Sequence, residues 1–373
     1  MKVERDIAVA ALPFAAGVAM AAWTVRILTL NPPICASLAL ATVLVSAWFI
    51  TYSSNGTTPF AYRFAAIWTC LAACGILCVI RAETTSAAGG YIDGFMQICA
   101  GAGTATGRLI DSIGFMDTDT NAIIRALIIG DRSDIPAHIT DAFRRSGASH
   151  ILALSGLHLG IIYSIVSKSL SCIGNSVNSK RLRSILTVAA CGLYTLATGA
   201  GASILRAFLF IFLGEYARLT GRFRNTGSVL MTALIIHLCI SPLAVREVGF
   251  QLSYAAMAGI AFIFPWLQGL WSEGEAEKTS WMRNPMKRIW DTAAMSIACQ
   301  ITTGPLAYMY FGTFPMHFLL TNLVSLPLIT LIIPSALLTT VLTWIGICPE
   351  MLLRATEALV TALSEALSII ASM

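Results

Sequence analysis

Charge is scarce in this chain. Only 12% of its 373 residues are Asp, Glu, Lys or Arg, while 57% are hydrophobic, and mean hydropathy is +0.76. Ordinary soluble domains carry about 25% charged residues, so a water-soluble fold is excluded. No His, Asp or Glu stands beside the one regular cysteine stripe, Cys70, Cys74 and Cys78, which leaves small-residue helix packing as its account rather than a metal. No strand precedes Gly101, Gly103 and Gly107, and their spacing is not that of a dinucleotide-binding loop. No internal repeat is apparent, so an inverted-repeat transporter gains no support.

What the chain has instead is long apolar runs. Windows of about 20 apolar residues predict ten spans: Ile7–Leu30, Pro33–Tyr52, Tyr62–Arg81, His150–Cys172, Leu182–Gly199, Ser203–Leu219, Val229–Pro242, Val248–Leu270, Ile289–Phe311 and Phe318–Ile345. The expected fold class is all-α: a polytopic membrane bundle with broken helices and an external interfacial helix. Lys2 and Arg5 precede the first run, which is too long for a signal h-region of about 7–15 residues and is read as an uncleaved helix. Basic residues concentrate in alternate loops: Lys168, Lys180, Arg181 and Arg183; Arg218, Arg222 and Arg224; Lys278, Arg283, Lys287 and Arg288. The positive-inside rule puts these loops and the N-terminus in the cytoplasm.

Four regions follow: N-terminal spans (1–81), an external helical segment (82–149), a channel-type domain (150–346) and a C-terminal amphipathic helix (347–373) that lies on the membrane or adds a span. In the external segment, Phe95, Ile98, Ala102, Ala105, Leu109 and Ile113 fall at helical spacing, which suits a helix in the interface plane. A second helix is predicted over Thr120–Ile129, stopped by Gly130. A third runs over Pro136–Ser146, with Asp134 near its cap and Gly147 closing it.

The richest stretch is Ser146–Val166, SGASHILALSGLHLGIIYSIV. It sets His150, Ser155, Gly156 and His158 in an apolar run, with His150 expected at the outer rim and His158 near mid-depth. Arg206, Gln251, Gln300 and Asn322 add a polar group to four further spans. Polar groups in hydrocarbon are costly and tend to face a partner or a path. Two readings stand: each is satisfied locally by snorkelling or interhelical bonds, or the set lines a funnel opening outward. Ser155 and His158 can meet on one helical turn, but no acidic residue is placed near them to complete a triad, so no catalytic residue and no metal or other cofactor is expected. In the loop Gly130–Asp134, Asp131 and Arg132 are expected to pair with each other or with Arg144 and Arg145 as a structural turn.

On these residues the chain resembles the ComEC-type competence proteins, a family that forms the inner-membrane channel for DNA in natural transformation. ALIIGDRSDIPAHITDAFRRSGASHILALSGLHLG is similar to the family's A-L-x-x-G-D-R element followed by F-R-x-x-G-x-S-H-x-L-A-x-S-G-L-H. LYTLATGAGASILRAFLF, VREVGFQLSYAAMAGI and TTGPLAYMYFGTFPMHFLLTNLVSLPL resemble its next three elements, in order, so the match runs from about Arg125 to Pro334. The resemblance implies passage of one DNA strand through a bacterial inner membrane, and the matched positions it carries over are Asp131, Arg132, Arg144, His150, Ser155, Gly156, His158, Arg206, Gln251 and Asn322; the expected path takes these from Arg144 onward, with Arg145 and Gln300 added from the residues themselves. In that reading Gly156 permits a helix break and Arg206 meets phosphate.

The resemblance also implies partners: single-stranded DNA, membrane lipid, a separate DNA receptor, a nuclease, a cytoplasmic motor and further copies of the chain. Many family members carry an OB-like domain and a C-terminal metallo-β-lactamase-like domain. Glu83–Asp119 is too short for the first and the chain ends at Met373 without a metal motif for the second. No nuclease activity is therefore expected of this sequence: either another chain does that work, or the sequence is a fragment or a divergent paralogue. Against a DNA path, 82–149 holds five Arg and eight Asp or Glu, whereas phosphate binding favours a basic surface. The alternatives are a small-solute or ion transporter and a transport-inactive scaffold.

Overall fold

The computed structural model describes residues 2–28, 32–52, 60–85, 91–115, 117–152, 155–174, 176–221, 226–271, 285–312 and 317–373. Among them there is no strand. The helices are α1 (Lys2–Leu28), α2 (Pro32–Tyr52), α3 (Phe60–Thr85), α4 (Tyr91–Asp111), α5 (Thr118–Ile129), α6 (Ala137–Arg145), α7 (Ser149–Leu152) and α8 (Gly156–Ser169). They continue as α9 (Val177–Ala197), α10 (Ala202–Thr220), α11 (Thr226–Ile240), α12 (Val248–Ala258), α13 (Phe264–Gln268), α14 (Pro285–Phe311), α15 (Phe318–Ile345) and α16 (Glu350–Ala371). Arg222, Arg224, Lys278 and Arg283 of the basic loops lie outside the described residues, as does 313–316.

This is an all-α membrane protein. Among the described residues, four segments are long and apolar enough to cross a bilayer: Phe64–Ala82, Gly156–Ile173, Val248–Gln268 and Phe318–Ile345. Among the described residues each expected span overlaps a helix, but two are interrupted. The run His150–Cys172 is split between α7 and α8. The run Val248–Leu270 contains a π turn, Gly259–Ile263. Pro265, in the first turn of α13, has no N–H to return to the carbonyl four residues back, and the widened turn precedes it.

The chain divides into two compact units, Met1–Tyr91 with Tyr216–Ala261, and Ile92–Glu215 with Phe262–Met373. In the first, α3 packs against both α1 and α2. The approach of α1 to α3 depends on glycine: a Cβ on Gly17 would collide with the backbone of Ala72, and one on Gly75 with the carbonyl of Phe14. Ser46 Oγ and Thr69 Oγ1 meet at 3.0 Å between α2 and α3. Arg246 gives its Nη2 hydrogen to the carbonyl of Ala22 in α1.

The second unit has its core where Leu127, Phe143, Ile151, Leu159, Ile204, Ile332 and Leu363 pack together, all 1% exposed or less. Helix α16 belongs to this core. Val360, Leu363, Leu367 and Ile370 recur at helical spacing on one buried face, and α16 packs against α15, α6 and α5. Glu357 on α16 accepts the Asp117 N–H at 2.8 Å, and Asp117 is the N-cap of α5.

The expected helix stops are present. Gly130 takes φ 84° at the end of α5, its N–H returning to Ala126. Gly147 takes φ 83° after α6. Its N–H bonds Arg144 O at 3.1 Å, and the Ala148 N–H bonds Phe143 O at 2.7 Å, the paired bonds of a Schellman cap. The start of α6 differs from expectation: Pro136 is the N-cap, without a side-chain bond, and Asp134 is held by Arg125 instead.

Candidate functional site

The loop after α5 is organised by Arg125, which the sequence does not single out. Arg125, on α5, binds three carboxylates: Asp111 at 3.2 Å, Asp131 at 2.8 Å and Asp134 at 3.0 Å. The expected pairing of Asp131 with Arg132, Arg144 or Arg145 is therefore corrected. Asp131 Oδ1 also accepts the backbone N–H of Ser133 at 3.1 Å and its hydroxyl at 2.8 Å. These two bonds, and then Arg125, hold the Asp131 carboxyl below the ordinary carboxylate range. Burial lowers the Arg125 pKa, but the three carboxylates outweigh it and the net shift is upward. Arg132 points elsewhere: its Nε donates to the carbonyl of Leu152, the last residue of α7, at 3.1 Å.

After α7 the chain restarts at Ser155, the N-cap of α8. The Ser155 hydroxyl accepts the Leu157 N–H at 3.3 Å, and His158 Nδ1 accepts the Ser155 N–H at 3.2 Å. The two residues form a capping box with histidine where Glu or Gln is usual. Since the backbone N–H must be the donor, Nδ1 is the bare nitrogen and the proton sits on Nε2. That Nε2 is buried with no hydrogen-bond partner. His158 thus lies in the first turn of α8 and is wholly buried. Gly156 opens the helix with its Cα face on α10: a Cβ there would stand 3.4 Å from Ala207 Cβ.

The other candidates divide. His150, on α7, turns its Nδ1 to the Gly147 carbonyl at 3.0 Å, and the Asn322 side chain approaches the same ring. Asn322, on α15, also donates to Ser296 Oγ of α14 at 3.2 Å. Gln300, one turn beyond Ser296 on α14, has a buried Nε2 without a partner. Arg206 is 5% exposed and does not snorkel to the surface. Gln251 belongs to the other unit and donates to Val245 O at 2.9 Å. Arg144 makes an exposed ion pair with Asp141 at 3.0 Å, and Arg145 is exposed beside it. Both sit in the last turn of α6, where a cation suits the helix dipole.

Two further residues went unread. Glu215 on α10, 3% exposed, lies within the expected span Ser203–Leu219 and accepts the hydroxyl of Tyr163 on α8 at 2.7 Å. Thr321, beside Asn322, donates its hydroxyl to the Ser146 carbonyl at 2.6 Å. A lone acidic residue inside the expected span Ser203–Leu219 was the available signal for Glu215; nothing in the sequence distinguishes Thr321 from its neighbours.

Residues 127–373, two-thirds of the chain, match the competence protein family. The chain belongs to that family. The matched stretch runs from α5 through α16 and takes in the capped loop, the break and the α14–α15 pair. Among curated relatives, this competence-family chain is 27% identical over 221 residues to ComE operon protein 3 of Bacillus subtilis (strain 168), covering 58% of the chain and 26% of that protein. It is 26% identical over 240 residues to competence protein ComA of Neisseria gonorrhoeae, covering 63% and 31% respectively. It is also 23% identical over 218 residues to uncharacterized protein YcaI of Escherichia coli (strain K12), covering 57% and 28%. The chain thus spans less than a third of the length of these relatives. No solved structure matches.

Proposed function

We propose that this competence-family protein passes single-stranded DNA across the bacterial inner membrane into the cytoplasm during natural transformation. The observation that carries the reading is the cluster at the α7–α8 break. There His150, Asn322 and Ser296 approach one another from three elements, His158 Nε2 is a buried polar atom left without a partner in the first turn of α8, and Gln300 Nε2 on α14 is another. Such atoms cost free energy in hydrocarbon and suit a route that hydrates or meets a polar cargo. Arg206 is the cation assigned to phosphate. The N-terminus and the basic loops are placed in the cytoplasm. Because Arg125 is already surrounded by three carboxylates, the external segment offers little to duplex DNA, and handover is assigned to a separate receptor. Strand degradation and driving force are assigned to other chains, a nuclease and a cytoplasmic motor, and this chain is assigned no catalytic step.

One observation favours a second reading. The buried Tyr163–Glu215 pair places an ionisable group inside the helical unit, as solute and ion transporters do. The test is entry of labelled transforming DNA into the cytoplasm of a deletion strain, complemented by the intact gene or by Arg206→Gln at equal level. Rescue by the intact gene, weakened by excess unlabelled single-stranded DNA and by Arg206→Gln, is the expected result. Full DNA entry without the gene overturns the DNA reading.

A further inference from the structure

We propose that Thr321 and Arg132 are positioning residues that fix the four-residue helix α7, and with it His150 and the start of α8, at the break; the functional part rests on the channel reading above. A single helical turn has no hydrogen bonds to spare for its own stability, so its placement must come from elsewhere. Several carbonyls of this segment have partners close by in the chain. Phe143 O accepts Ala148 N–H and Ser146 Oγ–H, Arg144 O accepts Gly147 N–H, Gly147 O meets the His150 ring, and Ala148 O accepts Ile151 N–H at 2.8 Å. Ser146 O and Leu152 O stand on either side of α7, and each is taken by a side chain from outside that helix. Thr321 Oγ1 takes the first at 2.6 Å from α15, 175 residues away in sequence, and Arg132 Nε takes the second at 3.1 Å.

Thr321 departs from the habit of its own helix. Thr330, Thr339 and Thr340 turn their hydroxyls back to the carbonyl four residues earlier, each at 2.7 Å, the usual bond for a threonine within a helix. Thr321 directs its hydroxyl off α15, and both it and Ser146 are wholly buried. One end of α7 is thus tied to α15, beside Asn322, and the other to the loop that Arg125 and Asp131 hold rigid.

The test uses the full chain, purified in detergent for hydrogen exchange and expressed in the deletion strain for DNA entry. Thr321→Val keeps the shape and removes the donor; Thr321→Ser keeps the donor. In Thr321→Val, exchange at the Ala148 and Ile151 amides should rise about tenfold, consistent with leaving a buried carbonyl unsatisfied, and DNA entry should fall by a similar factor. Membrane level and surface-bound DNA should not change, and Thr321→Ser should match the parent in every readout. If Thr321→Val does not accumulate in the membrane, Arg132→Met carries the same test at the other end of α7. Unchanged exchange overturns the positioning role. Faster exchange with full DNA entry overturns its functional part. Faster exchange in a protein whose intact gene does not support DNA entry overturns the channel reading and leaves the positioning of α7 upheld.

Discussion

His158 accepts the backbone N–H of Ser155 at 3.2 Å, so the histidine of the S-G-L-H element closes the first turn of α8. A capping box needs an acceptor three residues after the cap, and glutamine supplies one. His158→Gln should therefore keep the thermal stability of the purified protein, while His158→Ala should lose about 1 kcal/mol, as loss of a helix cap does. Equal losses in both variants would remove the cap as the reason for histidine and leave its buried Nε2 as the feature that matters.

Asp131 gives a dependence on pH. Its carboxyl is held below the ordinary range first by the Ser133 N–H and hydroxyl and then by Arg125. A group with a depressed folded pKa adds stability that is complete above its unfolded value, about 3.9, and is lost as the pH drops through the lower folded value. Amides of the loop 130–135 should keep their protection from pH 7 to pH 5 and lose it on further acidification. Asp131→Asn should already be less protected at pH 7 and should show a flatter acid limb. The side chain is 35% exposed, so the effect should be local rather than global. A loop in Asp131→Asn that matches the parent at every pH would overturn this.

The legible parts of this molecule are those where one residue type answers a local geometric demand. Gly130 and Gly147 stand at the ends of helical patterns, and both adopt the left-handed conformation that a helix stop requires. The break before Gly156 was visible as a Ser-Gly step in an apolar run, but its mechanism was not, because histidine is not the usual partner in a capping box. The hub at Arg125 was hidden for another reason: Asp111, Asp131 and Asp134 converge on it from α4 and from the loop, and such convergence is set by tertiary packing. Glu215 stands one turn before Arg218 at the end of an apolar run and reads there as an interfacial charge.

Gly156 separates size from flexibility. A Cβ at this position would make ordinary contact with Ala207 at 3.4 Å, and alanine is the better helix former. Gly156→Ala should therefore insert and support DNA entry as the parent does. Leucine would drive further carbons toward α10, and overpacking of this kind costs about 1–3 kcal/mol. Gly156→Leu should reach the membrane at normal level yet lose DNA entry. Normal entry with Gly156→Leu would show that the start of α8 has room to move away from α10 and that close contact there is not part of the route.

The Tyr163–Glu215 bond offers the sharpest separation between the channel and transporter readings. The tyrosine hydroxyl donates to Glu215 Oε1 at 2.7 Å, joining α8 to α10 inside the second unit. A hydrogen bond to a charged acceptor is worth about 1.5–3 kcal/mol, so Tyr163→Phe should lower thermal stability by roughly that amount. Glu215→Gln keeps an oxygen for the tyrosine and removes the charge. If the pair only ties α8 to α10, Glu215→Gln should keep most DNA entry while Tyr163→Phe loses some. If instead the carboxylate carries an ion through the membrane, Glu215→Gln should abolish transport and Tyr163→Phe should merely weaken it. The structural tie is the expected outcome, because the hydroxyl that holds Glu215 comes from the same helix whose first turn is fixed by Ser155 and His158. Measuring DNA entry and thermal stability on both variants decides between them, since only a role for the charge itself dissociates transport from stability.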